Sequence, residues 1–290
     1  MKRWLVTGAG GMLGRDLVSV LEGRGAEVAA LRRTDLDITD RAAVRAALWH
    51  WQPDVVVNCA AWTAVDDAEA HEADALQVNG QAVTGLAAAC ADQGTVLVQP
   101  SSDYVFDGQA SQPYPEHSPT APQTAYGRSK LAGEHAVLDQ PGLTGYVVRT
   151  AWLYGAFGKS FVGTMIGRAR RQADVQVVDD QRGQPTWTAD VAGQIAALVG
   201  AAAAPGIYHA TSSTDTTWFE LAQEVYRRLG ADPAQVRPVR SADYGAAAPR
   251  PAYSVLSHAA WAEAGIPPIG DWREALHRAL PSLAAARARS

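Results

Sequence analysis

The chain begins with the stretch Lys2-Arg3-Trp4-Leu5-Val6-Thr7-Gly8-Ala9-Gly10-Gly11-Met12-Leu13-Gly14. Its apolar run Trp4–Val6 predicts a buried strand, and the apolar residues from Leu13 to Leu21 recur at helical spacing. A strand, a glycine-dense turn and a helix in this order point the N–H groups of a helix N-terminus at a phosphate. The stretch therefore predicts the opening βα unit of a sheet that binds a dinucleotide.

The glycines of this turn follow a G-x-x-G-x-x-G frame, with one additional glycine inside it. Gly8 would permit the tight turn, Gly11 would let the backbone approach a pyrophosphate, and Gly14 would let helix and strand pack closely. An ordinary turn is the alternative, since glycine frames also occur by chance. The residues predicted to contact the dinucleotide here are Gly8, Gly10, Gly11, Met12, Leu13 and Gly14.

The composition narrows the class of protein. The 290-residue chain has 47% hydrophobic and 19% charged residues and a net charge of −5, which is typical of a globular protein. Without a long basic run, nucleic acid is not expected as a partner. The two cysteines, Cys59 and Cys90, lack metal-ligand spacing and are expected to be reduced thiols, so no metal site is predicted. No apolar run reaches bilayer length and no signal segment precedes the first strand, so we expect a cytoplasmic protein without a membrane partner.

Strands and helices alternate along the first half of the chain. The largely apolar run Val55–Ala61 is typical of a strand buried on both faces of a parallel sheet, and Gly145–Thr150 is a later strand of the same kind. The pattern predicts an α/β fold with a doubly wound parallel (Rossmann) sheet and a smaller C-terminal substrate-binding lobe. The predicted parts are a dinucleotide-binding domain over residues 1–150, sheet-completing segments over roughly 174–215, and a lobe mainly within 151–290.

The end of the second predicted strand indicates which dinucleotide binds. The strand Glu27–Leu31 ends in Arg32 and Arg33. In dinucleotide folds an acid at this position grips the ribose 2′-hydroxyl, whereas an arginine accommodates a 2′-phosphate. Arg32 therefore favours NADPH, with NADH as the second choice. The alternative is that both arginines are solvated on a loop.

A pair of residues with acid–base potential follows a proline-rich loop. Tyr126 and Lys130 are four residues apart, so they share one face of a predicted helix. A free phenol has a pKa of about 10, and a lysine ammonium one turn away is expected to lower it toward neutrality. Ser102, at the carboxyl end of a predicted strand, can donate to a substrate carbonyl oxygen beside the tyrosine. The Y-x-x-x-K spacing alone is weak, because surface tyrosines near lysines are common, but the glycine frame and Ser102 make it specific.

These residues resemble the extended short-chain dehydrogenase/reductase superfamily. Within it, several further runs are similar to the dTDP-4-dehydrorhamnose reductase (RmlD) family. They are Asn58–Asp66, Ser101–Gly108, Tyr126–Glu134, Arg149–Gly155, Asp180–Thr186 and Arg250-Pro251. The resemblance is collinear from Met1 to about Leu280 and so covers nearly the whole chain.

The resemblance implies reduction of the C4 ketone of dTDP-6-deoxy-L-lyxo-4-hexulose to dTDP-L-rhamnose by NAD(P)H. It implies that Ser102, in place of the family's usual threonine, holds the ketone, that Tyr126 protonates the alkoxide, and that Lys130 orients the ribose. The residues that it places along the cofactor are Asp37, Ile38, Ala60, Ala61 and Thr63, together with Tyr126 and Lys130. Those that it places at the sugar nucleotide are Ser102, Asp103, Tyr104, Trp152 and Arg250. Core packing is the alternative for Trp152, and an ordinary surface position is the alternative for Arg250.

Three other readings of the chain stay open. A sister reductase of another dTDP-4-keto sugar, such as a dihydrostreptose-type synthase, would share every catalytic residue. A non-catalytic regulatory subunit that binds the dinucleotide is a second class, although Ser102, Tyr126 and Lys130 are all present. An epimerase or dehydratase would use the same fold, but this strand end supplies a single carboxylate, Asp103. The resemblance also makes a homodimer an expectation and leaves the use of Mg²⁺ open.

Overall fold

The structure is a computed structural model that describes residues 2–245 and 247–288. Its strands are β1 (Arg3–Thr7), β2 (Glu27–Leu31), β3 (Val55–Asn58), β4 (Val96–Ser102), β5 (Gly145–Thr150), β6 (Leu153–Tyr154), β7 (Val175–Val178), β8 (Arg182–Gly183), β9 (Thr186–Trp187), β10 (Gly206–His209), β11 (Thr216–Thr217) and β12 (Val236–Val239). Its helices are α1 (Met12–Gly23), α2 (Arg41–Trp51), α3 (Val65–Ala68), α4 (Glu72–Leu76), α5 (Ala82–Gln93), α6 (Ala125–Leu138), α7 (Phe161–Arg170), α8 (Thr188–Gly200), α9 (Trp218–Arg228), α10 (Ser241–Tyr244), α11 (Ala259–Glu263) and α12 (Trp272–Ala288).

A parallel sheet forms the centre of the molecule. Within the described residues it has six strands in the order β10-β5-β4-β3-β1-β2, and every neighbouring pair is parallel. Every residue of β3 is buried, as a strand covered on both faces requires. The strand order reverses between β1 and β3, and doubly wound sheets bind ligands at the carboxyl ends of the strands at such a point. The predicted α/β, doubly wound fold is confirmed.

Two apolar cores cover the two faces of this sheet. Successive residues of β1 point to opposite faces, so Val6 belongs to one core and Leu5 to the other. The first core contains Leu17 of α1 and Ile195 of α8, and the second contains Leu48 of α2 together with residues of α5. Because both faces are covered, the strand ends are the part of the sheet that remains open to a ligand.

The chain after β5 builds a third core. α7, α9 and α12 enclose the fully buried side chains Tyr154, Ile166 and Trp272. Beside them β7 pairs with β12 in a separate parallel sheet. Within the described part of the 174–215 segment, β10 pairs with β5 in the central sheet, whereas β7 pairs with β12 outside it. The domain boundaries stay a prediction. Among the described residues, no helix combines the length and apolar character needed to cross a membrane.

The turn between β1 and α1 depends on close approaches of the backbone. Gly8 has a φ of +60°, and a Cβ atom there would lie 2.5 Å from the backbone nitrogen of Ala60. A Cβ atom on Gly14 would lie 2.5 Å from the carbonyl oxygen of Gly8. No side chain tolerates contacts this short, so Gly8 is needed for the turn and Gly14 for the packing of α1 on the turn.

Candidate active site

One helix carries the predicted acid–base pair into the interior. α6 begins at Ala125, where the Thr124 hydroxyl accepts a hydrogen bond from the Gly127 N–H at 3.0 Å and caps the helix. Tyr126 and Lys130 follow one turn apart on the inner face, and Lys130 is buried. The helix therefore presents both side chains toward the carboxyl end of β4.

Ser102 is the last residue of β4 and lies beside Tyr126. Its hydroxyl donates to Oδ1 of Asp103 at 2.9 Å and accepts a hydrogen bond from the Tyr104 N–H at 3.2 Å. The Ser102 hydroxyl also lies near the phenol of Tyr126 and pulls the pKa of that phenol downward. The Tyr104 ring meets the Tyr126 ring edge-on, with centroids 5.6 Å apart. The hydroxyl and the phenol thus lie side by side, although they are far apart in the chain.

The phenol of Tyr126 holds its proton tightly. Burial and the nearby Asp103 carboxylate raise its pKa to about 12, and the Ser102 hydroxyl opposes this rise. The expectation that Lys130 brings this pKa toward neutrality is wrong for this geometry, because the Lys130 ammonium donates to the carbonyl oxygen of Pro100 at 2.7 Å instead. Tyr126 is therefore a neutral phenol near pH 7, which suits a proton donor rather than a base.

Burial moves the pKa values of two titratable groups beside Tyr126, Lys130 and Asp103, toward neutrality. Burial lowers the pKa of Lys130 to about 8, while Glu134 and Cys59 act in the opposite direction. Burial raises the pKa of Asp103 to about 6, and the hydroxyls of Ser254 and Ser102 oppose this. Among the described residues, neither Asp103 Oδ2 nor Ser254 Oγ completes a well-aligned hydrogen bond, so Ser254 stabilises the carboxylate only weakly.

A cleft of about 790 Å³ lies over the carboxyl ends of β1, β2 and β3. The predicted cofactor residues that line it are Gly8, Gly10, Gly11, Arg32, Asp37, Ile38, Ala60 and Ala61. Those that lie outside its lining are Met12, Leu13 and Gly14 in the first turn of α1, Thr63 in the exposed loop after β3, and Tyr126 and Lys130 on α6. Residues that sequence reasoning did not single out also line it, among them Thr34, Cys59, Trp62, Asp74 and Gln77.

Arg32 lies directly over the glycine turn. Its Cγ is 3.5 Å from the position that a Cβ atom on Gly10 would occupy. Its backbone N–H donates to the Asp35 carboxylate at 2.9 Å, which fixes the end of β2. Arg33 lines the same cleft. Both arginines are exposed, yet they stand on the cleft wall rather than on a remote loop.

A second cavity, of about 940 Å³, lies beyond the Tyr104 ring and is bounded by α7, β7 and the segment before Pro251. Of the residues predicted to contact a sugar nucleotide, Tyr104, Trp152 and Arg250 line it. Ser102 and Asp103 directly precede Tyr104 and face Tyr126 instead. The reactive side chains thus stand between the two clefts.

A strained residue sets the aromatic wall of the second cavity. Trp152 adopts a φ of +48°, which is rare for a bulky side chain. Its indole stacks on that of Trp218, with centroids 3.6 Å apart and planes 8° from parallel, and Phe161 packs on Trp218 at 4.6 Å. A Cβ atom on Gly183 would lie 2.5 Å from the Trp152 ring. Trp152 is therefore held in place on the cavity wall, between a stacked partner and a glycine.

Arg250 is held against α3. Its Nη2 donates to Asp66 Oδ2 at 2.6 Å and its Nη1 donates to the Ala248 carbonyl at 3.0 Å, while the Ala248 N–H donates to Asp66 Oδ1 at 3.0 Å. These hydrogen bonds lower the pKa of Asp66. Arg250 is thus an ordered wall residue of the cavity and not an ordinary solvated arginine.

Sequence reasoning missed Trp218 and the function of Asn79. Asn79 lies in a π-helical turn, Gln77–Gln81, that joins α4 to α5, and its side chain bonds both backbone groups of Trp62, at 2.9 and 3.0 Å. It also donates to the Ser129 hydroxyl at 2.9 Å, which ties the cleft wall to α6. An asparagine in a helix interior was the available signal, because Asn normally favours caps and turns. For Trp218 no local signal exists, since its partner lies far away in the chain.

Across residues 2–245 and 247–288, no group of three or more His, Cys, Asp or Glu side chains is arranged to hold a metal ion.

Comparison with known proteins agrees with this architecture. The family model described as the RmlD substrate binding domain matches residues 1–285. The chain is 56% identical to dTDP-4-dehydrorhamnose reductase of Streptomyces griseus, over 97% of this chain and 94% of the relative. It is 53% identical to dTDP-4-keto-6-deoxy-D-glucose reductase of Streptomyces niveus, over 97% of each. A crystal structure of dTDP-4-dehydrorhamnose reductase from Bacillus anthracis in complex with NADP aligns with a TM-score of 0.92 at 34% identity, over 96% of this chain and 98% of that chain. The chain therefore belongs to the RmlD family that its sequence resembles.

Proposed function

We propose that the protein is an NADPH-dependent reductase that converts the C4 ketone of dTDP-6-deoxy-L-lyxo-4-hexulose to the hydroxyl of dTDP-L-rhamnose. The observation that carries this proposal is the contact between Ser102 and a protonated Tyr126, with Lys130 one turn away, between two clefts of suitable size. The relative from Streptomyces griseus, named dTDP-4-dehydrorhamnose reductase, supports the choice of substrate.

The first cleft suits a dinucleotide phosphate. Glycines line it where a side chain would block the approach of a pyrophosphate, and the N-terminal N–H groups of α1 begin next to them. The Arg32 guanidinium supplies hydrogen-bond donors for a 2′-phosphate, so NADPH fits better than NADH. The related structure from Bacillus anthracis contains NADP. When bound, this cofactor supplies the hydride that reduces the ketone carbon.

The side chains of the chain supply the proton and the orientation. Reduction puts negative charge on the ketone oxygen, and that oxygen must be protonated. Tyr126 keeps its proton until such an oxygen comes within reach, because burial holds its pKa at about 12. The Ser102 hydroxyl can rotate from Asp103 to the same oxygen. We assign Lys130, whose ammonium donates to the Pro100 carbonyl, to the orientation of the nicotinamide ribose.

The second cavity suits a sugar nucleotide. Its aromatic wall at Trp152 offers a flat face to a sugar ring or a base. The Arg250 guanidinium, oriented by Asp66, matches the fork geometry of diphosphate oxygens. Tyr104 lines this cavity and its ring contacts that of Tyr126, so a sugar bound against Tyr104 lies near the proton donor.

The direct test is incubation of the protein with NADPH and dTDP-6-deoxy-L-lyxo-4-hexulose. We expect loss of NADPH absorbance and formation of dTDP-L-rhamnose, identified by chromatography and NMR. The matched control is Tyr126→Phe, which retains the ring and removes the proton donor. Oxidation of NADPH no faster than in this control would refute the proposal.

Reduction of a different dTDP-4-keto sugar is a second candidate function. The Streptomyces niveus relative, named dTDP-4-keto-6-deoxy-D-glucose reductase, is nearly as similar to this chain as the first relative. The two substrates share the nucleotide and the ketone, so the catalytic residues do not distinguish them. The ratio of kcat/KM for the two 4-keto sugars, measured side by side, decides between the candidates.

We further propose that the protein works in the cytoplasm, without nucleic acid, as a homodimer. Both Cys59 and Cys90 are free thiols, in agreement with a reducing compartment. The acidic net charge of −5 opposes binding to nucleic acid. Light scattering on the purified protein tests the dimer, and activity in the presence of a chelator tests dependence on Mg²⁺.

A further inference from the structure

We propose that Glu134 and Arg149 form a buried ion pair whose function is to position the Lys130 ammonium beside the active site. This inference rests on the proposed function, since it gives both residues a part in the same reaction. Neither residue is among those that line the two clefts, so both act through Lys130.

The pair lies directly behind the predicted catalytic helix face. Tyr126, Lys130 and Glu134 are spaced four residues apart on α6, so the three side chains follow one another along one face. Arg149, on β5, donates to both carboxylate oxygens of Glu134, at 2.9 and 2.7 Å. The two side chains are 2% and 1% exposed. Such a bidentate pair fixes the position of the Glu134 carboxylate, while the Lys130 ammonium donates to the Pro100 carbonyl.

Arg149 is fixed from three further directions. Its Nη1 donates to the Glu116 carbonyl at 3.1 Å and contacts His209 Nε2 at 3.3 Å, and its guanidinium lies 4.9 Å from the centre of the Phe106 ring. Burial and the Arg149 charge lower the pKa of His209 to about 3, so this imidazole is neutral. Its Nδ1 lies 3.0 Å from the Ser257 carbonyl and must donate there, which leaves Nε2 to accept from Arg149.

The charges around Lys130 show what the pair does. Lys130 faces the Glu134 carboxylate on its own helix, the Cys59 thiol at the end of β3 and the Pro100 carbonyl on β4. The Glu134 charge favours the ammonium form and so opposes the burial that favours the neutral amine. Arg149 holds that carboxylate by two hydrogen bonds, while the ammonium bonds the Pro100 carbonyl. The negative charge of Glu134 thus favours the ammonium form of Lys130, and Arg149 fixes where that charge lies.

A purely structural role would not need these charges. Apolar residues of similar volume often stabilise a buried site as well as an ion pair does, because burying charges is costly. The free-energy cost of burying Glu134 and Arg149 is explained if the Glu134 carboxylate is needed to keep the buried Lys130 charged.

The test measures the titration of Lys130 itself. The chain has three lysines, Lys2, Lys130 and Lys159, so NMR of ¹³Cε-labelled lysine, assigned with Lys130→Arg, follows it directly. We expect Glu134→Gln to lower the pKa of Lys130 by about one unit, because it removes the neighbouring carboxylate charge. Arg149→Met should raise it by a smaller shift, because the Arg149 charge lies behind Glu134. Tyr146→Phe, a buried change on the same strand as Arg149, is the matched control and should cause no shift. This titration needs neither substrate nor cofactor, so it does not depend on the proposed function.

The pH dependence of activity is the second readout. In Glu134→Gln, kcat/KM should fall about fivefold near the native pKa of Lys130 and recover about two pH units below it, because the ammonium fraction recovers. Unchanged Lys130 titration in both single variants, or a loss of activity that is equal at every pH, would overturn the inference. If a single variant does not fold, the double variant decides, because it leaves no unpaired buried charge. Its Lys130 pKa should fall between those of the wild type and Glu134→Gln, and a titration identical to wild type would overturn the inference as well.

Discussion

Asp103→Asn is expected to stabilise the protein relative to wild type at neutral pH but not in acid. The carboxyl is 3% exposed, and burial raises its pKa from 3.8 to about 6. The native state therefore binds this proton more tightly than the unfolded chain does. The resulting stabilisation is complete below the unfolded pKa and is lost as the pH rises through the native pKa. A shift of about two pKa units corresponds to about 3 kcal/mol at most.

The measurable part of this effect lies between about pH 4.5 and about pH 8, where the free energy of unfolding of the wild type should lose about 2 kcal/mol through this group. The introduced amide of the variant does not titrate, and its oxygen still accepts the Ser102 hydrogen bond. The free energy of unfolding of the variant should therefore not fall over this pH range. Urea unfolding followed by the fluorescence of the nine tryptophans measures it. Asp92→Asn, a change of an exposed carboxylate, is the control. Parallel curves of stability against pH for Asp103→Asn and wild type would refute the reasoning.

The remaining predictions concern catalysis and binding. Tyr126→Phe should fold and bind NADPH but lose about 10²–10⁴-fold in kcat, because the proton donor is removed; a near-normal kcat would contradict its assignment. Arg32→Ala should raise the KM for NADPH about tenfold or more and leave the KM for NADH nearly unchanged, because a charge-assisted hydrogen bond to the 2′-phosphate is lost. Equal changes for the two cofactors would show that Arg32 is only solvated. Trp218→Ala should raise the KM for the sugar nucleotide about fivefold, since a stacked aromatic pair contributes about 1 kcal/mol to holding Trp152. An unchanged KM would remove Trp218 from the binding wall.

Local signals predicted the secondary structure well. The predicted strands Glu27–Leu31 and Gly145–Thr150 agree with the structure in both bounds, because hydrophobic periodicity acts within a few positions. Errors lie where local signals are weak. The run Val55–Ala61, for example, forms a strand only as far as Asn58, and its last residues line the first cleft instead.

The amino-acid sequence by itself determined the α/β class, the glycine turn, the shared helix face of Tyr126 and Lys130, and membership of the family. These properties depend on residues that are neighbours in the chain. Only the tertiary structure decided that Trp218 supports Trp152, that Arg149 engages Glu134, and that the pKa of Tyr126 rises instead of falling. The reason is that stacking, ion pairing and desolvation depend on which distant segments pack together. For Tyr126, burial raises the pKa, and the neighbouring lysine does not offset this rise.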